Sequence, residues 1–371
     1  MSPDDQRALQ DFVAYTALHP NLSRANDAAL AAIMGGNNGC QVVIITGPTG
    51  VGKTRLTTGL RRTLKDHYAD EAKQNPGQIP VLYGNAVSAQ GSSFSWKDFY
   101  TRLLTRSNEP MVDKKLMLDS QQNLFGSLPL GQFKENSTAD ALRISVENCL
   151  RRRKVRCLII DEAHHILMVS KKGDKHRLEF QFEAIKSLAL ETQTTIVLVG
   201  TYRLLDIRDL SGQLVRRSEI IHFPRYDYRD GQDRKRFGSV LAQFLKKIPV
   251  QHELSAVRDF KHFYNKSAGE VGILKDWLVR ALTRYYQFEK KRPFDHTLLD
   301  EFALDNKSLS TIATEAWLGE DKLRDIPEDN LEHLYAKGPF HLPDIAPIKN
   351  GGTGRKVGER RAKRDPVGGA V

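Results

Sequence analysis

Cysteine is scarce: Cys40, Cys149 and Cys157 are the only three in 371 residues. Their spacing offers no pair, so neither a disulfide framework nor a cysteine zinc site is indicated. No apolar run approaches the length of about 20 residues that crosses a bilayer. The opening MSPDDQRALQ is polar and lacks the apolar centre of a signal peptide. A cytoplasmic protein without a membrane partner is therefore expected. Acid is also short relative to base, with 45 Asp and Glu against 56 Lys and Arg, a formal charge of +11. Residues 349–371 carry seven Lys or Arg and two acids, a net of +5. The other +6 belongs to the rest of the chain. Such an excess makes nucleic acid a reasonable partner without establishing one.

What is present is alternation. After the helical-period segments of residues 1–38 and the break GGNNG come five short apolar runs. They are QVVIIT (41–46), PVLYGN (80–85), RCLIID (156–161), TTIVLVG (194–200) and EIIHF (219–223). Each reads as a strand buried on both faces, and helical segments separate them. This predicts an α/β fold with a largely parallel five-stranded sheet flanked by helices. The stretch from Gly91 to Ala139 is longer than one crossover requires, so an insertion is expected there. Beyond Tyr228 the pattern is helical only. The expected organisation is an N-terminal helical segment (1–38), an α/β nucleotide-binding domain (39–228), a small all-helical lid (229–319), and an acidic linker with a basic tail (320–371).

The first strand runs into GPTGVGKT, which comprises Gly47, Pro48, Thr49, Gly50, Val51, Gly52, Lys53 and Thr54. Glycines let backbone N–H groups turn inward around an anion, and the helix that follows adds its positive end. In this pattern the lysine reaches the β- and γ-phosphates of ATP and the threonine hydroxyl ligates Mg²⁺. Asp161 ends the third strand, beside that loop, where it can hold Mg²⁺ through water. Glu162 follows and can polarise an attacking water. His164 and His165 come next. They read as packing or polar contacts, since no carboxylate or cysteine at ligand spacing supports a metal.

With these motifs the chain resembles the AAA+ ATPases, over about residues 20–318. The resemblance implies a P-loop core with a helical lid, and it implies further roles. Thr201 at the end of VLVGT would sense the γ-phosphate. Arg216 or Arg217 in QLVRRSEIIHF would be an arginine finger for a neighbouring subunit, Arg217 being favoured by position. Lys275 in SAGEVGILKDWL stands where many relatives carry a second-sensor arginine. Tyr226 in FPRYDY would lie against the adenine. Within AAA+, the chain is similar to the TnsC/TniB transposition regulators and more distantly to MuB. That likeness rests on VIITGPTGVGKT, LIIDEAHHIL, LVGTYRLLD, QLVRRSEIIHFPRY and TIATEAWLGED. It implies a homo-oligomeric ring or filament on double-stranded DNA, recruiting a transposase and answering a TniQ- or TnsD-like target selector. A STAND-type or ExeA-like signalling or secretion ATPase remains the alternative. The basic insert, with Lys97, Arg102, Arg106, Lys134 and Arg143 among aromatic residues, is the candidate DNA contact.

Overall fold

The structure, a computed structural model, describes residues 1–35, 42–88, 93–110, 112, 136–167, 175–207, 218–288, 292–325 and 327–338. All five predicted runs are strands: β1 (Val42–Thr46), β2 (Val81–Asn85), β3 (Cys157–Asp161), β4 (Thr195–Gly200) and β5 (Ser218–His222). They form one sheet in the order β2-β3-β4-β1-β5, and every pairing is parallel. This order places β1 and β3 on either side of β4, so their C-terminal ends open on the same edge of the sheet. That edge carries the phosphate loop, Asp161 and Thr201.

Strand side chains alternate between two cores, as a period of two requires. Ile44, Leu158, Ile160 and Leu198 face a cluster filled by α5 (Trp96–Arg106), α6 (Asn136–Arg152) and α7 (Lys175–Thr192). Val43, Ile45, Ile159 and Val197 face the other side, where α2 (Pro20–Met34) and α3 (Lys53–His67) pack. A short α4 (Ala69–Gln74) follows α3. Cys149 and Cys157 are buried, unbridged members of these two cores. Cys40 lies outside the described residues.

The lid comprises α8 (Gly231–Lys247), α9 (Phe260–Ser267), α10 (Val271–Gln287), α11 (His296–Glu301) and α12 (Asn306–Lys322). Its core is centred on the fully buried Trp277, whose indole N–H donates to the Leu299 carbonyl at 2.7 Å. Phe12 of α1 (Pro3–Ala14) belongs to this same cluster. The N-terminal segment is thus divided, with α1 on the lid and α2 on the sheet. Helix α12 crosses the boundary expected at residue 319. Its Glu320 takes a two-pronged ion pair from the half-buried Arg225 (2.9 and 3.2 Å). Residues 324–371 are a separate unit, in which Glu328–Lys337 form helix α13. Among the described residues no helix is long and apolar enough to cross a membrane.

One contact ties the lid to the end of β4. Gly319 of α12 lies so close to Tyr202 that a Cβ there would stand 2.0 Å from the ring. Gly319→Val should therefore push α12 off the turn after Thr201, at a cost of about 1–3 kcal/mol. A thermal melt checks this, with Gly59→Ala as control. The control site has only one atom within reach, at 3.9 Å, and should be neutral or slightly stabilising. Equal melting points for Gly319→Val and wild type would mean that the contact is not made.

Candidate functional site: a nucleotide-type cleft under the lid

A cleft of about 710 Å³ lies between the phosphate loop, the ends of β3 and β4, the lid helix α10 and the chain joining α1 to α2. Of the residues singled out in the sequence, Thr49–Thr54, Glu162, Thr201 and Lys275 all line it. Gly47 and Pro48 lie behind that lining and serve it through their carbonyls. Asp161 is buried at the end of β3, at the back of the site. Arg216, Arg217 and Lys134 lie outside the described residues.

The loop takes its shape from glycine. Gly50 (φ +87°) and Gly52 (φ +108°) both occupy the left-handed region that side chains disfavour. Helix α3 then begins at Lys53 with no side-chain cap. Its first N–H groups are left to whatever occupies the loop. Lys53 is buried, and its ammonium donates to the carbonyls of Gly47 (3.0 Å) and Pro48 (2.6 Å). Burial pulls its pKa down, while Glu162, Glu270 and Asp161 act against that pull. A buried cation that bonds only to carbonyls still lacks an anionic ligand, and a phosphate oxygen supplies one. The orphaned hydroxyl of Thr201 points the same way, being buried without a hydrogen-bond partner. The loop and its surroundings therefore fit ATP. Thr54 and Asp161 supply the hard oxygen donors that Mg²⁺ prefers.

Asp161 accepts from the N–H of Glu162 (2.9 Å) and the hydroxyl of Tyr83 (3.2 Å). Burial raises its pKa, and those two donors offset part of the rise. Glu162 has a left-handed backbone, φ +52°, at a non-glycine position. Strain of this kind persists where the surroundings hold it, often at functional sites. His164 lies across from it, Nδ1 to Oε2 at 3.3 Å, though out of hydrogen-bond alignment. Burial, with His165 and Arg203 adding to it, lowers the His164 pKa to about 4, so the ring is neutral. Ligand atoms of Glu162, His164 and His165 all lie within 4.8 Å of one another. A carboxylate thus does stand at ligand distance from the histidine pair, contrary to the reading from spacing. The left-handed turn at Glu162 brings it there. Imidazole nitrogens are softer donors than Mg²⁺ takes, so this set is distinct from the Thr54 and Asp161 oxygens.

Sequence reasoning missed the far end of the cleft. Tyr15, Thr16, Ala17, His19 and Leu22 line it, together with Phe223, Phe244, Val271 and Val279. The aromatic expected there, Tyr226, is buried one layer behind. Its hydroxyl bonds to Nδ1 of His19 at 2.9 Å. That nitrogen also accepts from the N–H of Leu22 (3.4 Å), so the ring proton belongs on Nε2. His19 stacks on Phe223 with centroids 6.2 Å apart, and both residues line this end of the cleft. A signal was available in the sequence: the His19–Pro20 pair, an N-cap followed by proline at the first helical position. Arg55 of α3 donates to Thr16 Oγ1 (2.5 Å) and the Ala14 carbonyl (2.6 Å). Lys275 of the lid donates to the carbonyls of Val13 (2.8 Å) and Tyr15. The 13–16 strap is therefore latched from both sides, and Lys275 is engaged with it.

Residues 37–207, somewhat under half of the chain, match the family described as AAA domain. Over these residues the chain is similar to that family, and its parallel sheet with the helical lid has the AAA+ fold. Among solved structures, the Aeropyrum pernix ORC2 protein in its ADP form aligns with a TM-score of 0.51 at 14% identity. That alignment covers 80% of this chain and 72% of that one. The same protein in ADPNP-ADP complexes gives 0.48 at 14% identity, over 88% and 74%. The Walker-type ATPase paby2304 of Pyrococcus abyssi gives 0.43 at 16%, over 88% and 77%. At 14% identity the likeness to the ADP form concerns the fold alone. No curated protein sequence matches the chain.

Glu270 occupies the N-cap position of α10 without capping it, and both oxygens of its fully buried carboxylate lack a hydrogen-bond partner. Burial raises its pKa from 4.5 to about 8, against the pull of Lys53 and Arg225. Between pH 4.5 and about 8 the native state therefore keeps a proton that the unfolded chain has already given up. Its contribution to stability is whole below that window and is lost as pH rises through it. Glu270→Gln should remove this decline and raise the melting point at pH 8. Thermal melts of ligand-free protein across pH 5–8 check it. Parallel profiles for the two proteins would show that Glu270 titrates as an ordinary carboxylate.

Proposed function

We propose that this chain is an ATP-hydrolysing regulator of transposition that assembles on duplex DNA, of the TnsC/TniB type. The observation that carries the ATPase half is the cleft itself. Lys53 and the loop N–H groups would bind the β- and γ-phosphates. Thr54 and Asp161 would hold Mg²⁺, which when bound supplies positive charge to the transferring phosphoryl group. Glu162, which lines the cleft with Thr201, would take a proton from water. His164 flanks the Glu162 carboxylate and restricts where it points. Thr201 offers a hydroxyl to the γ-phosphate end. His19 and Phe223 would receive the base, with Tyr226 supporting His19.

Assembly is supported by the motif resemblance, in which Arg217 or Arg216 would reach the nucleotide of a second copy. Arg55, which lines the cleft, is held by Ala14 and Thr16. DNA as the partner is supported by the net +6 on residues 1–348 and by the motif resemblance. The transposase and the TniQ- or TnsD-like selector rest on that resemblance alone.

Glu162→Gln should keep ATP binding within about twofold while slowing hydrolysis by roughly 10²-fold or more. Lys53→Ala should lose binding itself. Equilibrium binding of a fluorescent ATP analogue and steady-state phosphate release separate the two effects. Wild-type turnover in Glu162→Gln would remove this residue from the chemistry.

A further inference from the structure

Among the described residues, the basic residues singled out in and beside the insert do not form one stripe. Lys97 and Arg106 lie at opposite ends of α5. Arg102 is paired with Asp98 one turn away (2.8 Å). Arg143 on α6 is paired with Glu147 (3.0 Å) and also donates to Ser187 (2.8 Å). Positive charge without a counterion collects elsewhere, at the edge strand β2. A cavity of about 730 Å³ there is lined by Arg61 and Lys65 of α3, Tyr83 of β2 and Arg106 of α5. The Arg61 guanidinium carbon lies 4.3 Å from the Tyr83 ring centroid, and that of Arg106 lies 5.6 Å from it. Arg106 also donates to the Tyr83 carbonyl (3.2 Å). Among the described residues no carboxylate pairs with Arg61, Lys65 or Arg106, and Nε of Arg61 is buried without a partner.

Guanidinium groups held over a ring keep their in-plane N–H donors for an outside acceptor, and that geometry suits phosphate oxygens. With Lys65 one helical turn from Arg61, the cavity offers three cations on two elements. Tyr83 is the one aromatic ring that lines it, and both guanidiniums lie near that ring. Such a cluster of cations suits a phosphodiester backbone. The ring at its centre has a second attachment, since the Tyr83 hydroxyl donates to Asp161 Oδ2 at 3.2 Å. One residue thus touches both the basic cavity and the carboxylate assigned to Mg²⁺.

We propose that Arg61, Lys65 and Arg106 form a binding site for the phosphodiester backbone of duplex DNA, and that Tyr83 links its occupancy to Asp161 and the ATP site. The proposal rests on the DNA-bound ATPase reading and adds to it a location and a route. A phosphate that draws the guanidiniums from the Tyr83 ring changes the field at its hydroxyl, and hence the hold on Asp161. By linkage, occupancy of the ATP site changes DNA affinity in return.

Anisotropy of two labelled duplexes of unrelated sequence, with an ATP analogue and at several salt concentrations, tests the site. Arg61→Ala with Arg106→Ala should weaken both duplexes by about tenfold or more and reduce the salt slope by about two. Lys65→Glu, an exposed change that leaves the core intact, should weaken them in the same direction. Lys97→Ala with Arg102→Ala should cost less than about threefold. Wild-type protein that binds neither duplex overturns both the proposed function and this site. Wild-type binding with unchanged affinity in the double variant and in Lys65→Glu overturns the site alone. For the link, Tyr83→Phe should bring the ratio of hydrolysis rates with and without DNA close to one, whatever its basal rate. A ratio in Tyr83→Phe equal to a wild-type ratio above one, or a wild-type ratio of one, overturns the link.

Discussion

The burial of Lys53 is the constraint around which the site is built. An ammonium group taken out of water must be bonded, and here its partners are two loop carbonyls. Asp161, Glu162 and Glu270 act on it through space. That arrangement bonds the ammonium without putting an anion in direct contact with it, so a polyanion is the natural complement. Much else follows from keeping the lysine covered. The lid must come close, and it does so at Gly272, where a Cβ would stand 2.2 Å from the Gly50 carbonyl. Glu270 is buried by the same approach, and its raised pKa reflects that burial.

The chain joining α1 to α2 closes the opposite end. Because α1 packs in the lid core and α2 on the sheet, residues 13–19 are stretched across the cleft between them. Arg55 and Lys275 hold the strap from the P-loop helix and from the lid. Lys275 therefore serves the enclosure of the site in this structure. Through Lys275 the lid and the strap are joined directly. Arg225 and Glu320 make a similar link on the β5 side, where α12 rests on the turn that follows Thr201.

Electrostatics divides the basic residues by what they meet. Arg102, Arg143 and Arg225 are committed to carboxylates within the fold. Arg61, Lys65 and Arg106 are not, and they share one cavity. Formal charge along a segment therefore does not show which of its cations remain unpaired after folding. The field outside the protein comes from the cations left uncompensated after folding.

The amino-acid sequence alone determined the sheet, the phosphate loop and the strand ends that carry Asp161, Glu162 and Thr201. Those features are local: apolar runs of strand length, glycines at required turns, and a carboxylate at the last residue of a buried strand. Tertiary structure alone decided that His19 and not Tyr226 faces the cleft, that Glu270 is sealed under the loop, and that Glu162 comes within reach of His164 and His165. It likewise decided that Arg61 and Arg106, 45 positions apart, meet over Tyr83. Each of these depends on segments distant in sequence packing together, and hydrophobic periodicity carries no information about which side chains then become neighbours.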